Sequence, residues 1–205
     1  MHISDGVLPA SVSIAGYAAT AVLAAWSARS AKGEELPKIA IVTSAFFVAS
    51  LISIPIAVTS VHLLLPGLVG ILLGRSAFIS ITMGVALQSI LFQMGGITAI
   101  GANSIMMGVP ALACAGLFHI LKGRSFTRTV IAGALTGGLG VILAALFLAG
   151  LLFLSNEDFW GVAKLALAWH LVVAAIESAI SAFTVSFLCK VKPEAIGFSP
   201  PAPGA

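Results

Sequence analysis

Seven apolar stretches separated by short polar interruptions dominate the chain: residues 10–29, 38–58, 60–74, 76–94, 103–121, 127–154 and 161–189. Apolar runs of about 17–25 residues are long enough to cross a bilayer as helices. The pattern predicts an all-α membrane protein of about seven transmembrane helices. The stretch 60–74 is too short to span comfortably and is expected to be tilted, partly re-entrant or covered by its neighbours. Small residues recur at helical spacing (Gly67, Gly70 and Gly74; Gly133 and Gly137; Ala45 and Ala49), which lets membrane helices approach closely. Residues 1–191 read as one polytopic domain. Residues 192–205, with four prolines, read as a flexible tail.

Composition agrees with this pattern. The 205 residues are 60% hydrophobic and 8% charged, with a mean hydropathy of +1.14, whereas soluble domains carry about 25% charged residues. So few charges cannot cover a water-facing surface. The chain is therefore expected in the cell (inner) membrane as a multi-pass protein. Its net charge of +3 reads as cytoplasmic loop bias rather than nucleic-acid binding. Cys114 and Cys189 both sit in apolar runs and read as packing residues. No basic residue precedes the first apolar run, so no cleavable signal is expected. A bulky second residue is expected to protect Met1 from trimming.

Charge also sets an orientation. Nine of the ten lysines and arginines fall on alternate connections or at the C-terminal end: Arg29, Lys32, Lys38, Arg75, Lys122, Arg124, Arg128, Lys190 and Lys192. Only Lys164 lies on the other side. By the positive-inside rule the N-terminus is outside and the C-terminus cytoplasmic. His2, His62 and Asn103 then lie at the outer face. Gln88 and Gln93 lie in the outer half of the fourth span, and His170 roughly 13 Å into the seventh. His119 lies at the cytoplasmic end and cannot join them.

This sorting brings candidate chemistry together. A histidine directly after Met1 offers three nitrogens, namely the α-amine, the His2 amide and the His2 ring, which close a five- and a six-membered chelate ring on one ion. Near-planar nitrogen ligation of this kind suits a late first-row divalent metal and leaves one corner open. His62 lies on the same face, and neutral imidazole is the commonest metal ligand. Asn103, Gln88 and Gln93 are candidates to orient the ligating rings, or simply to bond neighbouring helices. Asp5 reads as a cap for the first helix or as an acceptor beside the site. His170 and Glu177, seven residues apart, share a helical face and form a candidate buried polar pair, either a proton relay or a structural clamp. No P-loop, nucleophile motif or paired catalytic carboxylates occur. The sequence thus reads as neither an enzyme nor the carrier of its own ATP site. Two other readings stand beside metal capture: a structural membrane assembly subunit, and a proton-coupled secondary metal transporter using His170 and Glu177.

The opening Met1-His2-Ile3-Ser4-Asp5-Gly6 resembles the start of the CbiM/NikM family, the substrate-binding membrane (S) components of energy-coupling-factor transporters for cobalt and nickel. Further likeness lies in Ser60-Val61-His62-Leu63 running into Gly67-Leu68-Val69-Gly70, in Gly95-Gly96-Ile97-Thr98 with Gly101-Ala102-Asn103, and in His170 with Ile176-Glu177. The resemblance covers nearly the whole chain. It implies a six-helix core with one added N-terminal helix. It also implies metal binding by the Met1 amine, the His2 amide and ring, and the His62 ring, with Co²⁺ or Ni²⁺ as transported substrate. The whole-chain likeness lies nearer the cobalt branch, which serves cobalamin synthesis. Implied partners are a transmembrane coupling subunit, two ATPase subunits and often a small accessory membrane protein. Ala45 and Ala49 resemble the docking motif used by such components.

Overall fold

The computed structural model describes residues 2–56, 59–155 and 160–199. Among them are seven α-helices: α1 (Ala10–Ser30), α2 (Leu36–Ala49), α3 (Pro66–Leu73), α4 (Ala77–Phe92), α5 (Ile100–Leu121), α6 (Phe126–Ser155) and α7 (Trp160–Val191). An antiparallel hairpin, β1 (Ser53–Ile56) and β2 (Thr59–His62), joins α2 to α3, with Ser53 paired to His62. Five helical stretches are long and apolar enough to cross a membrane: Ala10–Ser30, Pro66–Phe92, Ile97–Leu121, Phe126–Ser155 and Gly161–Val191. Large apolar side chains such as Ile41, Leu135 and Phe183 point outward, as lipid-facing positions do. The chain is a multi-pass membrane protein.

Residues 60–74 are not one helix. The apolar run there divides into a strand and the eight-residue α3, about 12 Å long at 1.5 Å per residue. An apolar run of this length fits strand or helix equally well, and Pro66 fixes where the helix starts. The helix stops at Gly74, whose φ of +55° a side chain would resist. Although short, α3 sits at the centre, with Pro66 to Ile71 all buried. A Cβ on Gly67 would lie 2.3 Å from the Thr136 carbonyl oxygen and one on Gly70 2.1 Å from that of Ala111. Glycine there lets α3 lie backbone to backbone against α6 and α5. By contrast, α1 is peripheral, and of its residues only Thr20 and Ser27 are buried. Thr20 bonds the Gly101 carbonyl, and Ser27 donates to the Arg75 carbonyl and accepts from the Ile79 amide.

The basic connections gather at one end of the bundle. Lys122 Nζ donates to the Ile196 and Gly197 carbonyls, and Lys38 Nζ to that of Ala195. The start of the expected tail is therefore folded. Pro193–Ile196 forms a 3₁₀ turn, and Ile196 and Phe198 pack against Ile71, Phe118, Val185 and Cys189. Two apolar residues within six positions anchor what the prolines made look disordered. Residues 200–205 lie outside the described residues. Both cysteines are free and buried.

Candidate metal centre

At the opposite end, residues 2–6 fold back onto the bundle as a short tongue. Asn103, in the first turn of α5, grips Ile3 at two points. Its Oδ1 accepts from the Ile3 amide at 2.9 Å, and its Nδ2 donates to the Ile3 carbonyl at 3.0 Å. The Gly96 amide also donates to that carbonyl, at 3.2 Å. Asn103 is 0% exposed, so both ends of its amide must be satisfied within the protein. The turn before α5 is shaped for this contact. Gly95 holds a φ of +78°, and a Cβ on it would crowd the Asn103 Nδ2 and His2 Cβ atoms. A Cβ on Gly96 would fall 2.0 Å from Asp5 Oδ1.

Asp5 caps a helical start, but not that of α1, which begins after Pro9 without a side-chain cap. Asp5 Oδ1 accepts from the Thr98 amide at 2.8 Å and from the Thr98 hydroxyl at 2.5 Å, and Oδ2 accepts from the Ile97 amide at 3.3 Å. These are leading amides of the helical segment 97–121, which lack partners of their own. The Thr98 hydroxyl first, and then the Thr98 amide, hold the Asp5 carboxyl below its ordinary range.

The His2 ring is fixed by a chain of bonds whose direction can be read. Ser50 Oγ donates to the Phe47 carbonyl at 2.7 Å and accepts from Gln88 Nε2 at 2.5 Å. Gln88 Oε1 therefore faces His2 Nε2, at 2.8 Å. A carbonyl oxygen only accepts, so His2 carries its proton on Nε2. The Nδ1 lone pair is left for a metal, and Nδ1 is the ring atom that closes a six-membered chelate with the residue's own amide. A ligating histidine oriented through its other nitrogen is the usual arrangement.

His62 ends β2, outside the spanning helices. Its ring lies 5.0 Å from that of His2, centre to centre, with 25° between planes. The rings are stacked, and since a metal–imidazole bond of about 2 Å leaves a ring centre roughly 3 Å from the ion, their separation is short enough for one ion to serve both. Burial first of all holds both imidazoles down to about 3. They stay neutral near pH 7, as metal ligands must. Among the described residues no three His, Cys, Asp or Glu side chains form a metal-holding group. An ion between these rings would need further donors from the backbone. Met1, expected to supply one, lies outside the described residues.

Other expected residues bond elsewhere, although His170 is near enough for its charge to act on the His62 ring. Gln93 is exposed in a left-handed conformation that ends α4, five residues past Gln88, and does not join the tongue. His170 and Glu177 are buried but do not pair with each other. His170 Nδ1 bonds the Ala166 carbonyl, and Glu177 accepts from the Leu64 and Leu65 amides. Spacing by seven sets side chains on one face but two turns apart, about 10 Å, and each found a nearer partner. Ala45 is exposed on α2, while Ala49 is half-buried against Leu63, Leu65 and Leu68. Sequence reasoning missed Ser50 and Thr98, ordinary residues whose roles come from partners 38 and 93 positions away.

Comparison with known proteins gives this geometry a family. The profile described as "Cobalt uptake substrate-specific transmembrane region" (CbiM) matches residues 2–195. A Haemophilus influenzae protein named for metal transport is 32% identical, over 95% of this chain and 96% of its own length. The fused nickel transport protein NikMN of Rhodobacter capsulatus is 33% identical over 73% of this chain, which matches 46% of that protein. A crystal structure of a transition metal transporter superimposes with a TM-score of 0.81 at 27% identity, covering 93% of each chain. These relatives are transporters rather than enzymes. The chain belongs to the CbiM family of substrate-specific components in cobalt and nickel transport.

Proposed function

We propose that this chain is the S component of an ATP-driven energy-coupling-factor transporter and captures Co²⁺ or Ni²⁺ at its outer face. The Met1 amine, the His2 amide and Nδ1, and the His62 ring are the four nitrogens, in a near-planar set. The observation that carries this reading is the pair of neutral imidazoles 5.0 Å apart, one of them aimed by Gln88, on a tongue pinned by Asn103. That end lies opposite the basic connections, which supports an outside N-terminus under the positive-inside rule. Seven crossings fit the way the chain alternates between the two ends, with α2 and α3 as the short passes. The ligand set alone does not choose cobalt over nickel, since nitrogen affinity rises toward copper. The family description names cobalt uptake, which supports cobalt; supply to cobalamin synthesis is proposed with it.

Energy for release would come from partners. A relative with a second component fused to it supports assembly with further components, among which we propose a transmembrane coupling subunit. Two ATPase subunits and a small accessory membrane protein complete the proposed complex; of the docking pair Ala45 and Ala49, the exposure of Ala45 supports contact with a partner helix. Among the described residues, His170 and Glu177 bond other partners, so no direct bond between them supports the proton-driven alternative.

Metal analysis of the purified chain with an unformylated N-terminus, beside His2→Ala, tests the reading. One equivalent of Co²⁺ or Ni²⁺ in the unaltered chain and none in the variant is the expected result. Equal metal content in both would overturn it.

A further inference from the structure

Glu177 is a carboxylate in an apolar helix and is 1% exposed. Burying such a group demands strong compensation. Both of its oxygens are used: Oε1 accepts from the Leu64 amide at 2.5 Å and Oε2 from the Leu65 amide at 2.9 Å. These are the second and third residues after His62. The turn they make is an unusual one. Leu65 holds φ 52°, ψ 25°, a left-handed conformation seldom adopted by a bulky side chain. Pro66 follows at once and locks the next φ. Such a backbone persists only where its surroundings over-determine it, and it recurs at ligand clamps. The α3 N-terminus has no side-chain cap of its own. Glu177 supplies that cap from another helix, where a negative group also meets the positive end of the helix dipole.

We propose that Glu177 is a positioning residue for the metal site: its carboxylate fixes the Leu64–Leu65 turn and thereby sets where His62 stands relative to His2. This role rests on the reading of His62 as a ligand. Asn103 does the same for the other imidazole, gripping the residue after His2. Each ring is thus held by a buried side chain bonded to backbone one to three residues further along. Glutamine at position 177 keeps the shape but turns an N–H₂ group toward a backbone N–H, so one of the two bonds becomes a donor–donor clash.

The test uses the full chain in detergent with its native N-terminus, titrated calorimetrically with Co²⁺ and with Ni²⁺ alone. Visible d–d absorption of the bound ion and the thermal midpoint of the metal-free protein are recorded alongside. Glu177→Gln is expected to weaken binding of both ions about 10- to 100-fold, the range for partners that orient a ligand, and to shift the d–d bands. Ser178→Ala is the control. It removes a neighbouring tie of α7 to α6, the 2.6 Å bond to the Ala134 carbonyl, so it should lower the midpoint while leaving affinity and spectrum unchanged. If Glu177→Gln does not fold, Glu177→Asp carries the test, since it keeps the buried acid but shortens its reach, and weaker binding is again expected. Folded Glu177 variants that bind with unaltered affinity and spectrum overturn the positioning role alone. An unaltered chain that binds neither ion overturns the metal reading, and this role with it.

Discussion

At one end of the bundle Asn103 and Gln88, both fully buried, hold Ile3 and His2. At the other, Lys122 and Lys38 reach through water-accessible stems to the carbonyls of residues 195–197. Both ends tie a chain terminus to the bundle, but by different physics. Buried amides have no water to compete with them, so their bonds hold a partner in one place. Long lysines hold loosely and exchange partners readily. The first arrangement suits a site that must meet an ion in a fixed geometry. The second suits a surface that changes its contacts.

The largest effect is expected at Asn103. Asn103→Ala takes the Asn103 partner from the buried Ile3 amide, at about 1–3 kcal/mol, while the Ile3 carbonyl keeps the Gly96 amide. The expected outcome is a clearly lowered thermal midpoint of the metal-free protein and a 10-fold or larger loss of Co²⁺ affinity in calorimetry. A tongue held by other means would show neither.

A pH titration sharpens the contrast further. The His2 and His62 rings are held down to about 3 in the folded chain, against about 6.5 when unfolded. The unfolded chain therefore takes up protons first. The stability this contributes is fully present above pH 6.5 and drains away as pH falls toward 3. The metal-free midpoint should be level near pH 7–8 and decline below 6.5, with a shallower decline in His62→Ala. A midpoint that stays level down to pH 4 would contradict the burial of these rings.

The smallest effect is expected at the basic end. Lys122→Ala removes two partly exposed bonds, worth about 1 kcal/mol or less together. Metal affinity should be unchanged within error, because nothing from that end reaches the tongue. A large loss of affinity would show that the two ends are coupled through the helices.

Much of this was legible in the sequence. Apolar run length marks the bundle, and the alternation of lysines and arginines assigns His2, His62, Gln88 and Asn103 to one end. These features are carried by composition along the chain. What stayed hidden depends on partners distant in sequence. Asp5 caps the segment after Gly96 instead of α1, because the tongue folds back across 90 residues. The hairpin at 53–62 was hidden in an apolar run that reads equally as helix. Gln93 follows Gln88 closely enough to share its half of the span, yet it lies beyond the helix end. Glu177 was visible as an anomaly, but the two amides that explain it lie 112 and 113 positions earlier.

In the proposed site an unblocked leading amine completes the ligand set begun by His2 and His62. Its most direct measurement is calorimetric Co²⁺ binding by the chain with one extra residue placed before Met1. The account predicts that the extended chain keeps its metal-free thermal midpoint and loses high-affinity binding. Unchanged stoichiometry and affinity in the extended chain would contradict it.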